Sequence, residues 1–222
     1  MIGEMSAHFA PPDLHARVEQ VLAQSTRGLT NITIEQLGSL DQLHIEGMAA
    51  TRRLARLAEI DGEDVVLDAA CGLAGAARYL AKTFGCMVHG IDMTEAFLDT
   101  AELFNDLTGL SDTVSLQRAD VTDMPFRNVR RSTSSGRSML RRATGQVAPV
   151  AHLEPGRLSV ARAANSAISL DHAAPADEAD AIDGLDMSLL GTDQLQERAE
   201  NSIKDFDVGS VGVFETVLRK PW

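Results

Sequence analysis

Asp64-Val65-Val66-Leu67-Asp68-Ala69-Ala70-Cys71-Gly72-Leu73-Ala74-Gly75 is the stretch that decides the fold. Val65, Val66 and Leu67 form a short apolar run bounded by acids, the pattern of a buried strand. Ala69–Ala74 is a turn of small residues, where the backbone can bend sharply and a ligand can touch main-chain atoms. Gly75–Phe84 then reads as a helix, with Ala77, Leu80 and Ala81 inward and Lys82 near its end.

Downstream the pattern repeats. Cys86–Asp92 reads as a second strand. Thr94 is placed to cap a helix over Glu95–Thr108, whose Phe97, Ala101, Phe104 and Leu107 share one stripe, and Gly109 ends it. Val114–Asp120 alternates as a third strand. Strands and helices in alternation with short connections predict parallel strands and right-handed crossovers. Upstream, Asp13 is placed to cap a helix over Leu14–Gln24, and a second helix runs over Gly47–Ala58 with Arg52, Arg53 and Arg56 on a solvated face. Leu40–Ile45 reads as a connecting loop or short turn. The expected fold class is α/β: a Rossmann-like, doubly wound, mostly parallel sheet with a helical N-terminal extension.

Ligands of open parallel sheets bind beyond the carboxyl ends of the strands. Three such ends carry acids here, Asp68, Asp92 and Asp120. Asp92 lies 24 residues after Asp68, where a carboxylate can accept from both hydroxyls of a ribose. Asp120 is placed to receive an amino group. A dinucleotide would need glycine amides in a G-x-G-x-x-G turn for its pyrophosphate. The loop after Asp68 does not spell that turn. An acid among small residues suits a ligand with an ammonium, a ribose and no phosphate.

In these residues the chain resembles the class I S-adenosylmethionine-dependent methyltransferases, in particular their bacterial small-molecule branch. That family's first strand ends in an acid and a turn of the form D-x-G-C-G-x-G-G; this chain has Asp68-Ala69-Ala70-Cys71-Gly72-Leu73-Ala74-Gly75. The resemblance implies S-adenosylmethionine as cofactor, with Ala70, Cys71 and Gly72 along its methionine part. It implies Asp92 on the ribose, Met93 against the adenine, and Asp120 and Val121 at the adenine edge. It extends through Thr122–Phe126, over Leu40–Gly47 upstream, and to Leu189-Leu190-Gly191, Val211-Gly212-Val213 and Arg219-Lys220-Pro221. Ala70 and Ala74 depart from the family's glycines. If position 74 needs φ > 0, an alanine there costs about 1–2 kcal/mol unless Gly75 takes the turn instead.

Composition bounds the alternatives. The 222 residues are 44% hydrophobic and carry a net charge of −12. They are enough for one domain. The charge argues against nucleic-acid or anionic-membrane partners, and no 18-residue apolar run or secretory signal is present. Two cysteines, Cys71 and Cys86, suit a reducing compartment, and the expected location is cytoplasmic. Cys71 reads as a packing residue, since no base stands near it in sequence to activate it. The six histidines and two cysteines show no metal-ligand spacing. His44 is open between orienting a substrate and a structural role.

One segment breaks the pattern. Residues 127–162 hold eight arginines and one acid, net +7, between segments of net −11 and −8. Arg127–Gln146 has no useful period, and three arginines in Arg127–Ser132 do not suit a core strand. The family continues there with Phe-Asp-x-Val, its fourth strand. Two accounts stay open. One is a basic, disordered insertion that binds a partner. The other is a reading-frame error: codons compatible with Arg-Asn-Val-Arg-Arg-Ser, read one base later, can spell Ala-Thr-Phe-Asp-Val-Val. The original frame would return near Leu153–Leu158, the family's turn before its fifth strand. Gly191–Glu200 reads as a further helix and Ser210–Leu218 as a last strand.

The resulting expectation is a single domain over 1–222. A helical extension (1–63) precedes a cofactor-binding half (64–126), the anomalous basic segment (127–162) and a remnant C-terminal half (163–222), with the second half of the sheet incomplete. The expected activity is methyl transfer to a small-molecule acceptor, with no catalytic residue assignable. Cofactor binding without turnover and a nicotinamide-dependent oxidoreductase stand as rivals. Frame error and insertion are separated by sequencing the encoding DNA across codons 120–160 with peptide mass spectrometry of the product. The frame account expects a one-base shift there; an intact frame with these arginines present in the peptide refutes it.

Overall fold

The structure, a computed structural model, describes residues 10–25, 32–42, 47–120, 139–143, 159–164, 182–191 and 215–219. Three helices come first: α1 (Leu14–Gln24), α2 (Ile34–Asp41) and α3 (Gly47–Ala58). The alternating unit follows as β1 (Val65–Ala69), α4 (Gly75–Phe84), β2 (Met87–Asp92), α5 (Glu95–Thr108) and β3 (Val114–Arg118). Three more strands, β4 (Met139–Ala143), β5 (Ser159–Ala164) and β6 (Glu215–Arg219), complete one sheet in the order β3-β2-β1-β4-β6-β5. β3, β2, β1 and β4 run parallel, and β6 lies antiparallel between β4 and β5. The fold is the expected α/β one, a Rossmann-like, mostly parallel sheet with a helical N-terminal extension. After β3 the described residues hold one further helical element, the 3-10 turn Met187–Leu190; the helix α3 packs against β5 and β6.

The apolar periods of the sequence become two packed layers. Val66, Val88 and Val114, from the three consecutive strands, meet Ala77, Leu80 and Ala81 of α4, Leu98 and Ala101 of α5, and Ala55 and Ala58 of α3. A second cluster joins Leu14 and Val18 of α1, Leu37 and Leu40 of α2, and Phe97 and Phe104 of α5 with Leu73, Leu185 and Leu190. At about 25 cal/mol per Å² of apolar surface, such layers supply most of the stabilisation of a small domain. The extension is therefore packed onto the alternating unit through α5 and α4.

Several expectations change. Leu40 and Asp41 are not in a turn but end α2, which starts from a capping box: Gln36 N–H donates to Thr33 Oγ1, and Thr33 N–H donates to Gln36 Oε1. The Thr33-x-x-Gln36 spacing was the available signal. Asp13 precedes α1 but makes no side-chain cap bond; its carboxylate pairs with Arg17 at 2.9 Å. Thr94 likewise caps α5 without a side-chain bond. The third strand ends at Arg118 rather than Asp120, and of Ser210–Leu218 the described strand is Glu215–Arg219. Arg127–Gln146, which shows no strand period, contains β4, with Arg141 and Arg142 in register with Leu67 and Asp68. Ladder bonds are made by main-chain groups, so neighbours on both edges can hold a strand whose own side chains give no alternation. His44, Arg127–Ser132, Leu153–Leu158 and residues 192–200 lie outside the described residues.

Candidate cofactor site

The site is built from the carboxyl ends of β1, β2 and β3. The loop Ala70–Ala74 reverses the chain from β1 into α4 through three left-handed residues, Ala70 (φ 60°), Gly72 (φ 54°) and Ala74 (φ 58°). Position 74 thus does need φ > 0, and Ala74 itself takes it. Gly75 is already the first residue of α4 and does not relieve the strain. Gly75 serves a different purpose. A Cβ there would stand 2.5 Å from both the Asp41 carbonyl oxygen and its Cγ, so the end of α2 closes against the loop only because residue 75 has no side chain.

Asp92 organises the loop. Its Oδ2 accepts from Gly72 N–H at 2.9 Å and its Oδ1 from Thr94 N–H at 2.8 Å. Each oxygen keeps a further acceptor position, since an ionised carboxylate offers about four lone-pair sites. The Ala119 N–H donates to the Asp92 carbonyl at 3.0 Å, which aligns the end of β3 with the end of β2. Half-buried Asp120 follows directly. Asp68 is fully buried at the end of β1, and half-buried Met93 follows Asp92. The geometry therefore brings Asp68, Ala70, Cys71, Gly72, Asp92, Met93 and Asp120 to one end of the sheet; Val121 lies outside the described residues.

The loop amides are already engaged. Cys71 N–H donates to Ile91 O at 3.0 Å, Gly72 N–H to Asp92, and Ala74 N–H to Cys71 O at 2.8 Å. A pyrophosphate needs such amides pointing at it, and these three point at protein. Burial first, and then the charges of the Asp68 and Asp92 carboxylates, raise the Cys71 thiol pKa. A negative local field of this kind favours a cationic ligand group and opposes a phosphate.

Cys71 is buried, and burial first, then the neighbouring carboxylates, hold its thiol well above the usual range. Cys86 is pushed up to about 11, again chiefly by burial. Neither presents a thiolate nucleophile at neutral pH. The side of Cys71 is closed by β2, where a Cβ on Gly90 would come within 2.9 Å of Cys71 Sγ. Among the described residues no cluster of His, Cys, Asp or Glu could hold a metal ion.

Behind the loop sits a residue with no clear sign in the sequence. Arg78 of α4 is fully buried. Its Nη2 donates to Asp41 Oδ2 at 2.8 Å and to the Leu73 carbonyl at 2.5 Å. Its Nη1 donates to Asn105 Oδ1 at 3.0 Å and to the Ala101 carbonyl at 3.4 Å. The guanidinium lies 5.3 Å from the centre of the Phe104 ring. Burial pushes the Asp41 carboxyl upward, and the Arg78 charge opposes the shift. A charged residue on a helix face reads as solvated by default, and only the small residues around Arg78 hint that this face is inward.

Residues 66–147 match the family described as a methyltransferase domain, a span that runs from β1 through the parallel strand β4. An uncharacterized protein of Haemophilus influenzae is 34% identical over 80 residues, covering 36% of this chain and 32% of that protein. A probable chloroplastic tocopherol O-methyltransferase of Oryza sativa is 36% identical over 61 residues, 28% of this chain and 17% of that one. Among solved structures, a geranyl diphosphate methyltransferase in complex with S-adenosylmethionine is 26% identical, with a TM-score of 0.34, over 36% of this chain and 32% of that chain. The chain thus matches a third or less of the length of each of these relatives.

The left-handed alanines give a direct check on the loop. Ala70→Gly removes the strain of an L-residue at φ 60° and is expected to raise stability in urea denaturation by about 1 kcal/mol. Ala74→Gly gains less, because it also empties a buried methyl site worth about 0.8 kcal/mol. A loss of stability in Ala70→Gly contradicts the left-handed geometry at position 70.

Proposed function

We propose that this chain, whose residues 66–147 match a methyltransferase domain family, is a class I S-adenosylmethionine-dependent methyltransferase that binds its cofactor at the Ala70–Ala74 loop and transfers the methyl group to a small-molecule acceptor. The observation that carries this reading is the commitment of the Cys71, Gly72 and Ala74 amides to protein acceptors, with the Asp92 carboxylate taking the Gly72 amide. That arrangement disfavours a nicotinamide dinucleotide and suits an ammonium-bearing nucleoside. The name of the tocopherol relative also favours an acceptor of small-molecule class.

The residues present fit the cofactor. Ala70, Cys71 and Gly72 line its methionine part, and none of the three carries a side chain larger than a thiol. Asp92 accepts from the ribose hydroxyls through its remaining lone pairs while its other contacts hold the loop. Met93 packs on the adenine, and Asp120 and Val121 read its edge. Bound there, the cofactor supplies a methyl already activated by the sulfonium. The chain's own contribution is to hold the cofactor in one orientation, so that acceptor, carbon and sulfur lie in line. The domain division proposed is a helical extension over 1–63, the cofactor half over 64–126, the basic segment over 127–162 and a remnant C-terminal half over 163–222. No helix among the described residues is long and apolar enough to cross a membrane. Cys71 and Cys86 are free thiols, which suits the reducing cytoplasm where we place the chain.

Calorimetric titration with S-adenosylhomocysteine tests the reading. The parent chain is expected to bind one equivalent. Asp92→Ala is expected to bind about ten- to a hundredfold more weakly, the range for losing hydrogen bonds to a charged group. No heat from the parent sinks the cofactor assignment. Equal binding by the variant sinks the ribose role of Asp92 alone.

A further inference from the structure

The pair Arg78–Asp41 lies behind the cofactor loop and joins it to a different part of the chain. Arg78 Nη2 holds the Leu73 carbonyl, inside the loop, and Asp41, the last residue of α2, at the same time. A guanidinium is charged at every accessible pH, and here both partners of the ion pair are almost completely buried. Breaking such a pair from one side strands the remaining charge without its counter-ion. Arg78 would then have to turn toward water, and its bonds to the loop and to α5 would go with it. The Gly75 position adds a steric link, because the Asp41 carbonyl packs where a side chain at 75 would be.

α2 cannot supply this order by itself. It has eight residues, and helices shorter than about 12–15 residues are marginal in water without tertiary support. Its tertiary support comes from the apolar contacts of Ile34, Leu37 and Leu40, the Ser39 hydroxyl donating to the Leu185 carbonyl and the Asp41–Arg78 bond. We infer that Asp41 is a positioning residue for the cofactor site: through Arg78 it couples the docking of α2 to the shape of the Gly72–Ala74 turn, so that ligand at the loop and order in the N-terminal extension favour one another. The inference rests on the proposed cofactor reading and assigns to the extension a part in cofactor affinity. Linkage requires the effect to run both ways: a ligand that prefers the ordered loop must also order α2.

The test uses the full chain and S-adenosylhomocysteine as probe. Amide hydrogen exchange is followed over residues 32–42 with and without the probe, and calorimetry compares the parent with Asp41→Asn. Slower exchange in α2 on binding is expected, with affinity about 5- to 150-fold weaker in Asp41→Asn, the usual range of coupling between sites. A purely structural role would change the variant's stability and leave α2 exchange in the parent indifferent to ligand. Binding by the parent with unchanged α2 exchange overturns the inference, as does a folded Asp41→Asn with parental affinity. If Asp41→Asn does not fold, the exchange of the parent alone decides. If the parent does not bind the probe, the cofactor reading fails and the coupling is refuted with it.

Discussion

One carboxylate at the end of β2 holds the site together. Asp92 accepts the Gly72 N–H from the loop after β1 and the Thr94 N–H from the start of α5, and its own carbonyl accepts Ala119 N–H from the end of β3. The β1–α4 and β2–α5 connections and the end of β3 are thereby tied to one residue. The turn it holds contains two L-residues with left-handed φ, each costing about 1–2 kcal/mol. Such strain persists where the surroundings over-determine it, and the bonds of Asp92 and Arg78 supply that restraint from opposite sides of the loop.

Charge has two opposite uses within a few residues of one another. Around the buried Cys71 thiol, Asp68 and Asp92 contribute negative charge. Behind the loop, the positive Arg78 pairs with Asp41 and donates to the Leu73 and Ala101 carbonyls and to Asn105, while its Nε has no hydrogen-bond partner among the described residues. The two sets meet at Leu73, whose side chain is buried with α1, α2 and α5 while its carbonyl belongs to the Arg78 network. The N-terminal helices are thus structurally continuous with the loop, although the family match begins only at Val66.

Much of the first half was legible in the sequence. The bounds of α1, α3, α4 and α5 follow from period and punctuation, and Gly109 ends α5 in a left-handed conformation as its position suggests. Asp68 and Asp92 were legible as strand-end acids because each closes a short apolar run; Asp120 lies two residues beyond the end of β3. α2 was missed because its capping signal is short and lies beside a stretch that reads as a turn. Arg78 was missed because periodicity places a charge on the outer face by default, whereas its neutralisation comes from Asp41, 37 residues away in sequence. β4 was missed for a related reason: Met139-Leu140-Arg141-Arg142-Ala143 has no alternation, and its place is set by pairing with β1 and β6.

The central claim is that the loop held by Asp92 is where the cofactor's ribose and methionine parts lie. Amide NMR of the uniformly ¹⁵N-labelled chain, titrated with S-adenosylhomocysteine, tests it at the bonds concerned. Because the Gly72 and Thr94 amides donate to the carboxylate that would also take the ribose hydroxyls, their resonances should show the largest shifts, saturating together. Binding that shifts resonances elsewhere and leaves Gly72 and Thr94 in place would contradict the account.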